Sequence, residues 1–384
     1  MDGRRTIRTT LRGVSNQGAA ELKGKLLPPG SVAVSCIGWQ LGKAVIVGTE
    51  AYCNQQLNVV IPNTNVDATY LYYHLITRRE EIRNLGSVGT RTPILKKSAF
   101  ERLEIPLPPI HVQRKIAAIL SSYDDLIENN TRRIELLDEM AQRIYSEWFV
   151  DYRFPGHDVV ALVDSELGQI PDGWKVGVIG DVLEVLEAGS RPKGGIDPSE
   201  RGVPSVGAEN VLGLGRYEFE REKFISSLFF EQMRRGRVVS GDVVLYKDGA
   251  YIGRVSLFRD GFPHDECAVN EHVFILRTNR QLSQSFMYFW LAEPGNQDRV
   301  KSLNANSAQP GINQEKLKSL AIVLPPSELV QRFTERIEPM LALLFNLARS
   351  LRVLKGARDL LLPRLISGDL DVSDLEIAFL ETAT

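Results

Sequence analysis

The sequence predicts an α+β chain in which two similar modules are separated by two long helices forming an antiparallel coiled coil, with pseudo-twofold symmetry. Three observations carry this prediction. The chain repeats itself, each repeat has strand patterning broken at glycine, and each is followed by a helical stretch whose apolar residues step by four and three.

The repeat is read from landmarks in fixed order. Gly30-Ser31-Val32-Ala33-Val34 precedes Gly38 and Gly42-Lys43, and Gly241-Asp242-Val243-Val244-Leu245 precedes Gly249 and Gly253-Arg254 at the same internal spacing. Asn54-Gln55-Gln56 matches Asn270-Glu271-His272, and Leu71-Tyr72-Tyr73-His74-Leu75 matches Met287-Tyr288-Phe289-Trp290-Leu291. Each copy then has a small polar loop, 87–93 or 304–310, and closes on Ile105-Pro106-Leu107-Pro108-Pro109 or Ile322-Val323-Leu324-Pro325-Pro326. The offset drifts only from 211 to 217 residues, which chance similarity does not sustain.

Within each copy, the apolar runs around Val32-Val34 and Val243-Leu245 end at glycine and read as strands joined by tight turns. A short helix over 70–85, with its partner over 285–291, supplies the α component. The second copy has a 76-residue preface, 165–240, with a Gly/Arg/Lys loop at 189–195; the first has only 29 residues before Gly30. The first module is therefore expected to be incomplete at its N-terminal side. A misplaced gene start, a module that works without its leading strands, or a polypeptide that completes the first domain would each account for this.

After each Leu-Pro-Pro the pattern becomes helical, because proline ends the strand and pre-sets a helix start. Ile116, Leu120, Tyr123, Ile127, Asn130, Ile134 and Leu137, continuing to Ala141, Ile144 and Trp148, form one seam. Phe333, Ile337, Met340, Leu344, Leu347 and Leu351, continuing to Leu354, form the other. Such stepping predicts a two-helix seam; the alternative is a pair of ordinary core helices. Asn130 on the seam would fix register if paired, and Pro339 predicts a kink or a late start in the second helix. A helix of some 40 residues spans about 60 Å, enough to hold two modules apart. The expected division is 1–107 and 153–326 for the modules, 108–152 and 327–363 for the helices, and 364–384 for a tail.

Composition excludes several classes. The 384 residues carry 24% charged side chains and a net charge of −2, as a globular chain would, with no apolar run long enough to span a bilayer. MDGRRTIRTTLRG at the start lacks the apolar core of a secretory signal. Cys36, Cys53 and Cys267 have no CxxC spacing and read as reduced thiols of a cytoplasmic protein. Charge is uneven: 1–107 has 14 Lys and Arg against 8 Asp and Glu, whereas 165–326 has 19 against 21. Contact with a polyanion must then come from local clusters in the second module.

No catalytic constellation is legible. The Pro-Pro pairs at 28–29, 108–109 and 325–326 all follow Leu, unlike the Asn/Asp-Pro-Pro-aromatic signature of adenine methyltransferases. Gly38-Trp39-Gln40-Leu41-Gly42-Lys43 is one residue short of a P-loop, with Ala44 where a hydroxyl is needed, so its glycines read as turn residues. His264, Asp265, Glu266, Cys267 and His272 lack familiar metal-ligand spacing, and no metal site is expected.

The run Ile105-Pro106-Leu107-Pro108-Pro109-Ile110-His111-Val112-Gln113-Arg114-Lys115-Ile116, with Asp124-Asp125-Leu126-Ile127-Glu128-Asn129-Asn130, resembles the specificity subunit of type I restriction–modification enzymes. So do Trp148-Phe149-Val150-Asp151-Tyr152, Ile170-Pro171-Asp172-Gly173-Trp174 and the closing Leu361-Leu362-Pro363-Arg364-Leu365-Ile366-Ser367-Gly368. The resemblance covers about 25–375, and the shortened first module departs from it. It implies two target-recognition domains, each reading half of a split sequence in double-stranded DNA, with spacer helices setting the unread gap. It further implies a non-catalytic, cytoplasmic chain that docks two methyltransferase (modification) subunits, which use S-adenosylmethionine to methylate adenine. Restriction (motor and nuclease) subunits, using ATP and Mg²⁺, would join them, and no cofactor is expected on this chain itself.

Base readers need Arg, Lys, Asn or Gln on exposed loops. The glycine hairpins offer Trp39, Gln40 and Lys43 in one copy and Lys247, Tyr251 and Arg254 in the other. The polar loops offer Arg91, Thr92 and Lys96, and Asn304, Asn306 and Gln309; the preface adds Arg191 and Lys193. Matched placement with different side chains is what two readers of different sequences require. The competing expectation is a coiled-coil scaffold for methyltransferase subunits with one degenerate DNA-reading module.

Overall fold

The computed structural model describes residues 4–22, 24–86, 92–193, 195, 196, 199, 201–304 and 311–376. The first part of the chain forms β1 (Thr6–Ile7), α1 (Asn16–Glu21), β2 (Val32–Ser35), β3 (Ala44–Val47), β4 (Leu57–Val60), α2 (Ala68–Thr77), α3 (Arg79–Gly86), α4 (Lys97–Phe100) and the long α5 (Ile110–Phe149). There follow β5 (Leu162–Ser165), β6 (Gly168–Pro171), β7 (Lys175–Val178), β8 (Leu183–Ala188), β9 (Val203–Val206), β10 (Phe224–Ile225) and α6 (Ser227–Gln232). The second module then closes with β11 (Asp242–Tyr246), β12 (Val255–Phe258), β13 (Ala268–Val269), β14 (Val273–Thr278), α7 (Gln284–Ala292), α8 (Pro294–Ser302), α9 (Gln314–Lys318) and β15 (Ala321–Leu324). The long α10 (Ser327–Ser367) comes last. Among the described residues, no helix is long and apolar enough to cross a membrane.

The chain divides into two compact units, 1–129 with 352–384, and 130–351. Each long helix therefore gives one part to each unit. In unit one the sheet order is β1-β3-β2-β4, with β2 antiparallel to both β3 and β4 and β1 parallel to β3. Alternation along β2 sets the layers: Val32 and Val34 face a core with Tyr70, Tyr73, Leu75, Ile116, Leu120, Leu365 and Ile366. Ala33 faces the other way, into a small cluster with Leu27, Val45 and Val47. That second face borders a cleft of about 690 Å³.

Polar ties fix the helices of this unit. Gln113, 1% exposed, accepts from the Asp67 N–H and donates to the Asn65 and Pro108 carbonyls, joining α5 to the capped start of α2. Tyr73 Oη donates to Asp124 Oδ2 at 2.6 Å, and Arg358 of α10 donates to Asp124 Oδ1 at 2.9 Å. Burial first, and then the Asp124 carboxylate, pushes the Tyr73 hydroxyl far above its ordinary range, so it stays a donor.

Unit two has the corresponding strands in the order β12-β11-β14-β8. β11, β12 and β14 occupy the places of β2, β3 and β4, but β8 adds a strand beyond β14. Among the described residues β4 pairs only with β2. Val243 and Leu245 face the helices, whereas Val244, Val273 and Ile275 meet Val206, Val211, Cys267 and Val269 in a second closed core. The preface thus supplies both an edge strand and a covering layer that unit one lacks among its described residues.

The long helices are held here by aromatic rings. Phe149 lies 4.9 Å from Phe286 and 5.1 Å from Phe333, and Tyr145 lies 5.5 Å and 5.8 Å from the same pair, mostly edge to face. Each such pair is worth about 0.5–1.5 kcal/mol beyond area burial. Phe333, near the start of α10, meets Tyr145 and Phe149 near the end of α5, whereas Gly215 lies against Leu344 and Ile134 further along both, so α5 and α10 run antiparallel within the unit.

Several expectations need correction. The helix expected over 70–85 is two helices, broken at Arg78, whose side chain reaches Glu81 and the Glu104 carbonyl. The second long helix does not start late: it begins at Ser327, passes Pro339 and extends past Pro363 to Ser367. Both prolines are exposed, and the carbonyls that lose a donor belong to exposed Glu335 and Asp359, where water can bond them, while Phe333, Ile337, Leu341 and Leu344 hold the opposite face. The seam is also broader than a coiled-coil stripe. Ile116, Leu120, Ile134, Phe333, Ile337, Leu344 and Leu347 are buried, but Tyr123, Ile127, Asn130, Leu137, Met340 and Leu351 are only half-buried. Tyr145, Phe149, Leu341, Phe345 and Ala348, off the expected stepping, are fully inside because the module cores wrap the helix on a second side.

Asp138 on α5 is 6% exposed, and burial holds its carboxyl above the ordinary range despite the Gln142 hydrogen bond and the nearby Arg216. A folded value above the unfolded one stabilises the fold at low pH and loses that contribution as pH rises through the folded value. Asp138→Asn should therefore gain stability against urea over the wild type, by more at about pH 8 than at about pH 4, the ordinary carboxyl value. Identical pH dependence of the variant and the wild type would show that this carboxyl carries no such penalty.

Candidate nucleic-acid interface

The two glycine hairpins have the same backbone. Gly38–Gln40 and Gly249–Tyr251 each form a single 3-10 turn, with Gly38 at φ +77°, Gly42 at +82°, Gly249 at +63° and Gly253 at +89°. Side chains other than glycine enter that region at a cost. Each hairpin is joined to the end of its polar loop. Ile37 bridges Ile94 in one copy and Asp248 bridges Gly311 in the other. Gly38 N donates to the Pro93 carbonyl and Leu95 N to the Cys36 carbonyl, while Ile312 N donates to the Lys247 carbonyl. The turn leading into the third strand is shared too: Asn54 Oδ1 accepts from Gln56 N, and Asn270 Oδ1 from His272 N.

A scan against family models matches residues 6–139 and 171–347 to the type I restriction modification DNA specificity domain. The chain belongs to this family. Two curated relatives are specificity subunits of Methanocaldococcus jannaschii type I restriction enzymes. MjaIX is 27% identical over 95% of this chain and 83% of its own length, and MjaVIII is 26% identical over 87% and 76%. The crystal structure of a type I restriction–modification S subunit from M. genitalium aligns with a TM-score of 0.59 at 16% identity, covering 94% of this chain and 88% of that one, which shows a common fold. The chain is thus a DNA-recognition component and not a catalytic one.

The specificity chain presents its expected readers unevenly. Trp39 is 82% exposed and Tyr251 48%, at matched hairpin tips. Gln40, Thr92, Lys96 and Lys193 are exposed, and Lys43 is half-buried. The Arg254 guanidinium stacks over the Tyr251 ring at 3.9 Å, which holds its donors in one plane. Asn304 is turned inward, its side-chain oxygen accepting from Gly311 N at 2.6 Å, so it closes the base of the polar loop. Arg91, Asn306 and Gln309 lie outside the described residues.

Lys247 and Arg191 belong to a chain of charges that sequence reasoning did not foresee. Lys247 Nζ sits 2.8 Å from Asp248, which meets His272 Nδ1 at 2.7 Å. His272 Nε2 lies 3.3 Å from Glu271, and Glu271 meets Arg191 Nε at 3.1 Å. The available signal was the triplet Asn270-Glu271-His272, noticed as a landmark and not as a site. Burial, with the Asp248 and Glu209 charges, raises the Tyr246 hydroxyl above its ordinary range. His264 pairs with Glu222 instead, and burial pushes the Cys267 thiol up to about 12. Among the described residues no group of three or more His, Cys, Asp and Glu is arranged to hold a metal.

A side chain at Gly42 would lie 3.0 Å from the Arg79 carbonyl oxygen, whereas one at Gly38 meets nothing within 4 Å. Gly42→Ala should therefore cost more than about 2 kcal/mol, the left-handed penalty plus a clash, and Gly38→Asn less than about 1 kcal/mol. Urea unfolding of the two variants measures both. Equal stabilities would mean the hairpin is not held as described.

Proposed function

We propose that the chain directs adenine methylation, and restriction, by a type I complex to a bipartite DNA target, each module reading one half. The observation that supports this most is the shared hairpin backbone, tied to a polar loop in both copies yet carrying Trp39 and Gln40 in one and Tyr251 and Arg254 in the other. Common placement delivers each loop to the same part of the duplex, and different side chains select different bases. In this reading α5 and α10 set the unread gap and present the docking surface for two methyltransferase subunits. Those subunits carry S-adenosylmethionine, and restriction subunits supply ATP- and Mg²⁺-dependent work. The chain acts in the cytoplasm, where its partners and DNA are.

One observation favours a second reading. The sheet of the first module ends at β4 among the described residues, where the second module continues to β8 and a covering layer. A first module with reduced reading power would leave the chain a scaffold that specifies one half-site only.

Selection of duplexes from a random library by the chain with its methyltransferase subunits separates the two. Two separated blocks of defined bases support bipartite reading, and a single block supports the scaffold. Arg254→Ala should relax preference at one base pair in one block by roughly 5- to 150-fold, the discrimination of a good base contact. A uniform loss over all sequences would instead assign Arg254 to phosphate.

A further inference from the structure

We infer that the turn Arg234-Arg235-Gly236-Arg237 of the second module is a binding site for the DNA phosphodiester backbone. It rests on the reading of that module as a DNA reader, and adds to it a contact that carries no sequence information. Neither composition nor the hairpin loops point to it, because unit two as a whole has no basic excess.

The turn is built before any ligand arrives. Gly236 has φ +81°, donates its N–H to Glu187 Oε1 at 3.0 Å, and gives its carbonyl to Val269 N at 2.8 Å. Val238 N donates to the Cys267 carbonyl, and Arg277, itself bidentate to the buried Asp242, donates to the Arg237 carbonyl. Arg237 is consumed as the anchor: its guanidinium lies over the Phe230 ring at 4.8 Å and donates to the Glu231 carbonyl. Arg234 and Arg235 are left exposed, and neither has a carboxylate partner among the described residues. Because the turn is fixed at both ends, only the two side chains, and not their backbone, have to be ordered on binding.

The turn also lies against the loop that carries two expected readers. A side chain at Gly236 would sit 2.5 Å from the Gly189 Cα, and one at Gly189 would overlap the Val269 carbonyl. Only glycine at both places lets these backbones touch. Arg191 and Lys193 follow Gly189 by two and four residues, so four cations leave from one glycine–glycine contact. Of these, Arg191 is paired with Glu271, which also meets His272, while Glu187 accepts from Gly236 N. In the first module the turn leading to Leu27 has Gly24 at φ +78° and an exposed Lys25, a weaker version of the same device.

The test is the salt dependence of duplex binding by the chain with its methyltransferase subunits, measured on its preferred duplex and on a random-sequence duplex. Each phosphate contact adds about 0.9 to the slope of log affinity against log salt. Arg234→Ala with Arg235→Ala should lower the slope by about two on both duplexes. Between 50 and 200 mM salt the double variant should then lose roughly tenfold less affinity than the wild type. Its base preference should be unchanged, and Arg234→Lys with Arg235→Lys should restore the slope, since a point charge suffices for phosphate. An unchanged slope overturns the inference, and so does a shift in base preference that lysine fails to restore. A wild-type complex that binds duplex without any preference sinks the DNA-reading proposal itself, a different failure seen before any variant is made.

Discussion

Burial of the two long helices inside the module cores is the constraint on which the rest of the structure depends. An isolated pair of helices with the stripe seen here would leave Tyr145, Phe149, Leu341 and Phe345 in water. They are instead inside, against Phe286 and Phe289 of α7 and the sheet beyond. In unit one Ile116 and Leu120 of α5 and Leu365 and Ile366 of α10 do the same against Tyr70 and Tyr73. Each module is therefore one cooperative body with its share of both helices. A reading loop attached to that body inherits the rigidity of the helix pair. The proposed bipartite reading needs this, because a loop free to shift by an ångström could not discriminate base edges.

Duplication explains why the two units share this plan and where they part. Both keep the hairpin glycines, the Asn-capped turn into the third strand, and the tie between hairpin and polar loop. Backbone geometry is thus retained and side chains diverge, the pattern expected when the frame positions and the tips specify. The preface alters energetics as well as shape. It gives the second sheet an extra strand and a second apolar core, and it brings the Gly189–Gly236 contact with its cations.

Much of the fold was legible because its signals are local. Period-two patterning broken at Gly38 and Gly249 gave the hairpins, and the change of stepping after each Leu-Pro-Pro gave helices close to those found. What failed was whatever depended on a third partner. Sequence stepping sees one partner for a helix, so it chose Met340 over Leu341 and passed over Tyr145 and Phe149, which a module core claims from the side. Pro339 suggested a kink or a late start, and the late start is absent because sequence does not say which face a proline occupies. In the candidate site, exposed hairpin tips followed from glycine spacing. The charge chain from Lys247 to Arg191 did not, since it joins residues 56 positions apart through Asp248, His272 and Glu271. Nor did sequence show that the Asn304 side-chain oxygen accepts from Gly311 N.

Native-state hydrogen exchange on the full chain tests the shared-core claim most directly. If helices and modules are one body, amides of α5 over 141–149 and of α10 over 333–345 open at the same free energy as those of β11 and β14, and together with them. Exchange of these helical amides at a free energy several kcal/mol lower, with the sheet still protected, would show the helices to be appendages, and the structural basis offered here for fixed reading geometry would be wrong.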